Sequence, residues 1–247
     1  MKISIITVCY NSSKTIEKTF QSLQNQIYDN IEYIVIDGDS IDGTKKIIEN
    51  YKEIISVYIS EKDNGLYDAM NKGVSIATGD LIGILNSDDV FNNDRVLNQI
   101  ADFHLNNTLD VSISNIIQFN KNEKVIRKYS AKKWNPNKLK LGYMPPHPAI
   151  FFKRELFDKY GGYRLDFNIC ADYELITRFF LKNKIQWKFL NITTHSMLIG
   201  GLSSSGFNSY HMVSKEIIKS LTLNKISFSH IVIHSRILWK IISFLKK

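Results

Sequence analysis

Residues 81–85 (LIGIL) form a short apolar run that passes directly into Asn86-Ser87-Asp88-Asp89. Carboxylates at the end of a buried strand, where a parallel sheet opens to solvent, are placed to hold a hard divalent cation that can grip a diphosphate. The chemistry implied is metal-assisted transfer from a nucleotide-linked donor. The same residues also read as an ordinary turn, because Asn, Ser and Asp are turn formers and Asp94 can cap the helix that follows. Short acidic motifs recur by chance, so the choice between the two depends on the rest of the chain.

Such carboxylates need a scaffold, and the first hundred residues alternate between apolar runs and helical periodicity. Residues 3–8 read as a strand, after which Asn11, Ser12 and Ser13 offer caps for a helix with Ile16, Phe20 and Leu23 on one face. Residues 33–36 form the next strand, ending at Asp37-Gly38-Asp39-Ser40, and a helix follows through Ile47 and Ile48. A third strand at 56–59, a helix at 66–77 and the strand at 81–85 continue the pattern. This order predicts a mostly parallel sheet covered on both faces, with ligands beyond the carboxyl ends of its strands. Asn11, Asp37, Glu61, Asp63 and Asp88 all fall at such ends.

Further on, a helix carries Val96, Ile100 and Phe103, and 111–117 and 124–129 read as strands. Pro145-Pro146-His147-Pro148 then breaks the chain before an apolar stretch at 149–152. Another helix starts near Ala171 and carries Leu175, Ile176, Phe179 and Phe180. No internal repeat or low-complexity linker marks a boundary, and a soft one is placed near residue 205.

The chain of 247 residues is 44% hydrophobic and 23% charged, the balance of an ordinary globular protein. Residues 1–100 hold 9 Lys and Arg against 15 Asp and Glu, whereas residues 101–247 hold 23 against 9. An acidic first half suits a cation, and a basic second half suits an anionic partner such as phosphate or a lipid surface. With no zinc-finger spacing, RNA-binding aromatic motif or Lys/Arg tract, nucleic acid is not the expected partner. Cys9 and Cys170 stand far apart in sequence and fit a reduced compartment better than a disulfide framework. The N-terminal residues read as a first strand without a cleavage site, which predicts a cytoplasmic protein.

Residues 226–247 differ in kind. Ile231, Ile233, Ile237, Leu238, Trp239, Ile241, Ile242, Phe244 and Leu245 are apolar, while Arg236, Lys240, Lys246 and Lys247 are basic. Arg236 and Lys240 interrupt the run too early for a span of ~20 apolar residues. The pattern fits a helix docked on its own domain, a helix lying in a membrane interface, or a contact with another copy.

Five segments, in order, resemble the family 2 glycosyltransferases, inverting enzymes with the nucleotide-sugar-binding GT-A fold. They are Thr7-Val8-Cys9-Tyr10-Asn11, Val35 through Thr44, Asp63 through Gly73, Gly79 through Asp89, and Ala171-Asp172-Tyr173-Glu174-Leu175. The likeness covers roughly residues 3–205 and points to the subgroup that builds bacterial surface polysaccharides. It implies an α/β GT-A domain over 1–205, with a donor-binding half at about 1–110 and an acceptor half at about 111–205. A helical appendage, with a membrane surface among its candidate partners, follows at 206–247.

The resemblance also implies roles. Asp37 ends a strand beside the uracil ring and accepts its N3 hydrogen, with Thr7, Tyr10 and Asn11 walling the pocket. Asp39 either contacts ribose or caps the next helix. Asp88 is the direct ligand of Mn2+ or Mg2+ bridging the two phosphates, and Asp89 lies beside it in a metal-side or capping role. Asn86 stands where relatives commonly have Asp; it can still bond ribose or a metal-bound water, with one charge fewer. Lys72 contacts phosphate or faces solvent, and Glu61 and Asp63 face the donor or sit in a solvated loop. Asp172 is the general base for the acceptor hydroxyl, with Ala171 where Glu often precedes it. His147 in the Pro-rich turn, His195 before the Gly200-Gly201 segment suited to a lid, and Arg178 belong to the acceptor or diphosphate side, unless they serve packing.

The protein expected is an inverting, metal-dependent enzyme at the inner face of the cell membrane. It moves a hexosyl or N-acetylhexosaminyl group from a UDP-sugar to a polyprenyl-linked or oligosaccharide acceptor, one sugar at a time, in capsule or O-antigen synthesis. The rival is a non-catalytic nucleotide-sugar- or glycan-binding scaffold on the same fold, with Asn86 as a first sign of decay. A nucleotidyltransferase is disfavoured, because no Gly-rich phosphate loop stands near the first strand.

Overall fold

The computed structural model describes residues 1–120, 124–198 and 206–236. They belong to two compact units. The first comprises Met1–Lys132, Pro145–Gly162 and Ile185–Ile199; the second comprises Lys133–Met144, Tyr163–Lys184 and Gly200–Lys247. The expected division near residue 205 therefore runs differently. Two excursions from the sheet, carrying helical turns and no strand, group with the C-terminal residues.

The first unit is built on strands β1 (Ile3–Cys9), β2 (Ile31–Asp37), β3 (Val57–Ser60), β4 (Leu81–Ile84), β5 (Asp89–Phe91), β6 (Val111–Phe119), β7 (Val125–Tyr129), β8 (Ile150–Lys153) and β9 (Trp187–Leu198). The sheet order is β3-β2-β1-β4-β8-β6-β9-β5, with β7 on β6. β1 to β4 run parallel, as the alternation predicts. Beyond β4 the sheet is mixed: β8 is antiparallel to both β4 and β6, β9 is parallel to β6, and β5 is antiparallel to β9.

Helices α1 (Ile16–Gln24), α2 (Thr44–Asn50), α3 (Leu66–Ile76), α4 (Val96–Leu105) and α5 (Glu155–Tyr160) belong to this unit. β1 is buried at every residue, as a parallel strand covered on both faces must be. α1 buries Ile16, Thr19, Phe20 and Leu23, the i, i+3, i+4, i+7 stripe of an amphipathic helix. α3 lies close on β1 because Gly73 faces Ile6, where a Cβ would come within 2.5 Å of Cγ2.

The second unit is helical among its described residues. It holds the 3-10 turn Pro136–Leu141, α6 (Ala171–Thr177) prolonged by the π-helical turn Arg178–Lys182, and α7 (Gly206–Leu223). Trp134 packs edge-on against Phe180 and donates its indole N–H to the Tyr143 carbonyl, while the Tyr173 hydroxyl donates to the Leu139 carbonyl. Among the described residues no helix is long and apolar enough to cross a membrane. Of the basic, apolar tail expected at 226–247, residues 237–247 lie outside the described residues.

Candidate active site

The carboxyl ends of β1, β2 and β4 carry a laced set of polar loops. Asn11 takes a positive φ of 50°, its N–H donates to Ser40 Oγ at 2.8 Å, and its Oδ1 accepts from Ile41 N–H at 3.0 Å. Ser12 N–H donates to Thr44 Oγ1, and Asp42 accepts from the N–H groups of Ser13 and Thr44, so the loop after β1 is tied to the start of α2. Ser12 Oγ lies 2.9 Å from Ser87 Oγ, which links the same loop to the Asn86–Asp89 turn.

Asp37 is in this cluster but is fully buried, 0% exposed. Its Oδ2 accepts from Ser60 Oγ at 2.7 Å and Ser40 N–H at 3.1 Å, and its Oδ1 faces Cys9 Sγ at 3.6 Å. These bonds let the Asp37 carboxylate fix Ser40 and Ser60; the uracil contact expected of it needs a ligand to be seen. Thr7 is likewise buried; its hydroxyl donates to the Leu85 carbonyl and accepts from Tyr33 OH, so it braces the end of β4.

The groups open to a ligand are others. Tyr10 is 63% exposed, and Asp39, at φ 65°, pairs with Lys45, whose ammonium lowers the Asp39 pKa. Asp63 approaches Gly38 so closely that a Cβ there would lie 2.5 Å from its Oδ2 and 3.4 Å from the Tyr10 ring. Sequence reasoning left Asp63 between the donor and a solvated loop; the glycine at 38, beside two aspartates, was the available signal. Lys72 pairs with Glu61 at 2.8 Å and Asp68 at 3.6 Å.

In the acidic turn, Asp88 is half-buried and Asp89, at the start of β5, is 1% exposed. Burial raises the Asp88 pKa, and among the described residues no cation offsets it. Burial and the adjacent Asp88 raise Asp89 further, against a hydrogen bond of 3.0 Å from Asn86 Nδ2. Asn86 thus donates to Asp89, a role an Asp at 86 would not fill. A divalent cation would relieve the desolvation of Asp88, and the carboxylate suits an oxygen-seeking ion. Among the described residues no three His, Cys, Asp or Glu side chains converge on one point, so such an ion would take its other ligands from diphosphate and water.

Of the two readings of His195, diphosphate-side contact and packing, its surroundings fit packing. It sits inside β9 opposite Phe91, is 0% exposed, and packs its ring on Phe91 and Phe151 at 5.0 and 6.3 Å. His147, in a 3-10 turn, is also buried; burial lowers its pKa to about 4 and that of His195 to about 3. Both rings are neutral at pH 7, which suits packing.

In the second unit, Asp172 lies in the first turn of α6 and is half-buried, its Oδ1 accepting from Tyr173 N–H at 2.7 Å. Burial, then the Asp172 charge, raise the Tyr163 pKa. Arg178 forms its ion pair with Glu174 at 2.9 Å.

A parallel half ending in polar loops, continued by a mixed sheet, is the arrangement of GT-A glycosyltransferase folds. Residues 4–165 match the family described as Glycosyl transferase family 2. The chain belongs to glycosyltransferase family 2. It is 28% identical over 227 residues to a PGL/p-HBAD biosynthesis glycosyltransferase of Mycobacterium bovis, covering 90% of this chain and 84% of that one. Among solved structures it shares its fold with S. aureus TarS 1–349 in complex with UDP-GlcNAc, with a TM-score of 0.70 at 19% identity over 90% of this chain and 66% of that one. The mannosyltransferase PcManGT of Pyrobaculum calidifontis, in complex with GDP-Man and Mn2+, superposes with a TM-score of 0.66 at 15% identity, over 95% and 68%.

Proposed function

We propose that this glycosyltransferase moves a hexosyl or N-acetylhexosaminyl group from a UDP-sugar, with inversion, to a polyprenyl-linked or growing glycan acceptor in bacterial surface polysaccharide assembly. The observation that carries the reading is Asp88, a desolvated carboxylate with no cation beside it among the described residues, held next to the polar loops at the carboxyl edge of the parallel strands. Bound there, Mn2+ or Mg2+ supplies neutralisation of the diphosphate's charge. Tyr10, Asn11, Asp39 and Asp63 hold the nucleoside, Asp63 as hydrogen-bond acceptor, while Lys72 lies toward phosphate. Asn86 keeps Asp89 in place behind Asp88.

Asp172 takes the acceptor hydroxyl proton as that oxygen bonds to the anomeric carbon and the bond from that carbon to the diphosphate breaks, releasing UDP. Attack from the face opposite the leaving group turns an α-linked donor into a β-linked product. The basic second half and the tail at 226–247 suit contact with an anionic membrane surface near a lipid diphosphate acceptor.

Uridine is supported by the family resemblance and by the UDP-GlcNAc on TarS; the mannosyltransferase binds GDP-Man. The test is nucleotide release from UDP-glucose, UDP-galactose, UDP-GlcNAc, UDP-glucuronate and GDP-mannose, with membrane lipid extract, with and without Mn2+. Metal-stimulated turnover of one UDP-sugar, abolished in Asp88→Ala, is expected. Binding of UDP without turnover of any donor would favour the scaffold.

A further inference from the structure

Asp172 is ordered by a residue that lies outside the family match. Cys170, the residue that opens α6, gives the helix no side-chain cap. Instead, the backbone N–H groups of Asn168, Ile169 and Cys170 all donate to the carboxylate of Glu216 on α7. Asn168 reaches Oε1 at 2.8 Å, while Ile169 and Cys170 reach Oε2 at 3.0 and 2.8 Å. Successive N–H groups turned to one side make a concave cradle for an anion, and here the chain supplies the anion itself. Glu216 is 6% exposed, so these charge-assisted bonds are shielded from water, and losing one leaves a buried group unpaired.

A second tie holds the far side of α6. Glu174, 2% exposed, accepts from Asn224 Nδ2 at 3.1 Å and from Arg178 Nη2 at 2.9 Å. The three residues before Ala171-Asp172 thus take their path from α7, not from a local cap. Both Glu216 oxygens are engaged by backbone donors in a buried setting, so this carboxylate does not exchange a proton with substrate.

We propose that Glu216 is a positioning residue: by holding the backbone of residues 168–170 it sets the place of the Asp172 carboxylate toward the acceptor hydroxyl. The inference rests on Asp172 as general base. A shift on the order of 1 Å in a reacting group costs about 100-fold in rate.

The test is Glu216→Gln, which turns an amide NH2 toward a backbone N–H. On the most active donor of the panel, kcat is expected to fall about 10- to 100-fold, while donor KM and UDP affinity stay within about twofold. Lys219→Met, on the same helix, breaks the pair with Asp166 and is expected to keep kcat within about twofold. Wild-type kcat in Glu216→Gln beside an inactive Asp172→Asn overturns this inference alone; so does an equal loss in Lys219→Met. An active Asp172→Asn overturns the base assignment first and this inference with it. Independently of how any variant folds, the 168–170 amides of the wild-type chain are expected to exchange hydrogen as slowly as the core of α7. Exchange at open-loop rates overturns the cradle.

Discussion

Gly38→Ala is the sharpest probe of the nucleoside side. The added Cβ would lie 2.5 Å from Asp63 Oδ2 and 3.2 Å from its Cγ, against 3.4 Å for ordinary contact. Asp63 is not free to swing clear, because its Oδ1 accepts from Gly65 N–H at 2.9 Å ahead of α3. The carboxylate must turn by roughly 1 Å or leave that tether, which takes its Oδ2 away from the nucleoside contact proposed for it; a misdirected charge-assisted hydrogen bond costs about 1.5–3 kcal/mol. UDP affinity is therefore expected to weaken about 10- to 100-fold, with a stability loss of about 1 kcal/mol from overpacking. Calorimetric titration of UDP into wild type, Gly38→Ala, Asp63→Ala and the double variant completes a cycle. Removing Asp63 removes the clash, so Gly38→Ala is expected to cost little more in that background. Wild-type UDP affinity in Gly38→Ala, or an undiminished loss in the double variant, would refute the reasoning.

Other consequences concern stability. Burial opposes the charge of Glu32, but bonds from Lys2, Ser4 and Thr78 outweigh it and hold its pKa down to about 2. That stabilisation is present above the unfolded value near 4.5 and drains as pH falls toward 2. Glu32→Gln is expected to cost about 2 kcal/mol at pH 7, after allowance for screening around Lys2, and much less at pH 2; urea unfolding at both pH values checks this. Burial holds His195 and His147 below the ordinary histidine pKa, so their contribution is full above pH 6.5 and is lost as pH falls toward 4. The melting temperature of His195→Phe is expected to fall less than that of wild type between pH 7 and pH 5, and an identical fall contradicts the assignment. Arg178→Ala strips the ion-pair partner from a buried Glu174 and is expected to cost about 3 kcal/mol in denaturant unfolding, partly restored by adding Glu174→Gln.

The parallel half was legible because its signals are local. β1 is a run of Ile, Val and Thr residues flanked by polar turns, and the stripe of Ile16, Phe20 and Leu23 announces α1 within two turns. The mixed half was less so. β5 is three residues long and acquires its identity only by pairing with β9, whose Asn191, Thr193, Thr194 and His195 disguise it as a polar loop. His195 was accordingly left between the diphosphate side and packing. The partners of Asp37, namely Cys9, Ser40 and Ser60, converge from different elements, so no local pattern showed its buried bonds. Glu216 lies 46 residues beyond Cys170, and no periodicity in a helix reveals which backbone its carboxylate meets.

The most direct measurement separates binding from turnover in Asp172→Asn. The substitution keeps the side chain's size and removes its basicity. UDP affinity is expected to match wild type, while kcat on the donor that turns over falls about 100- to 10,000-fold, the range for losing a general base. Turnover within a few-fold of wild type would contradict the account.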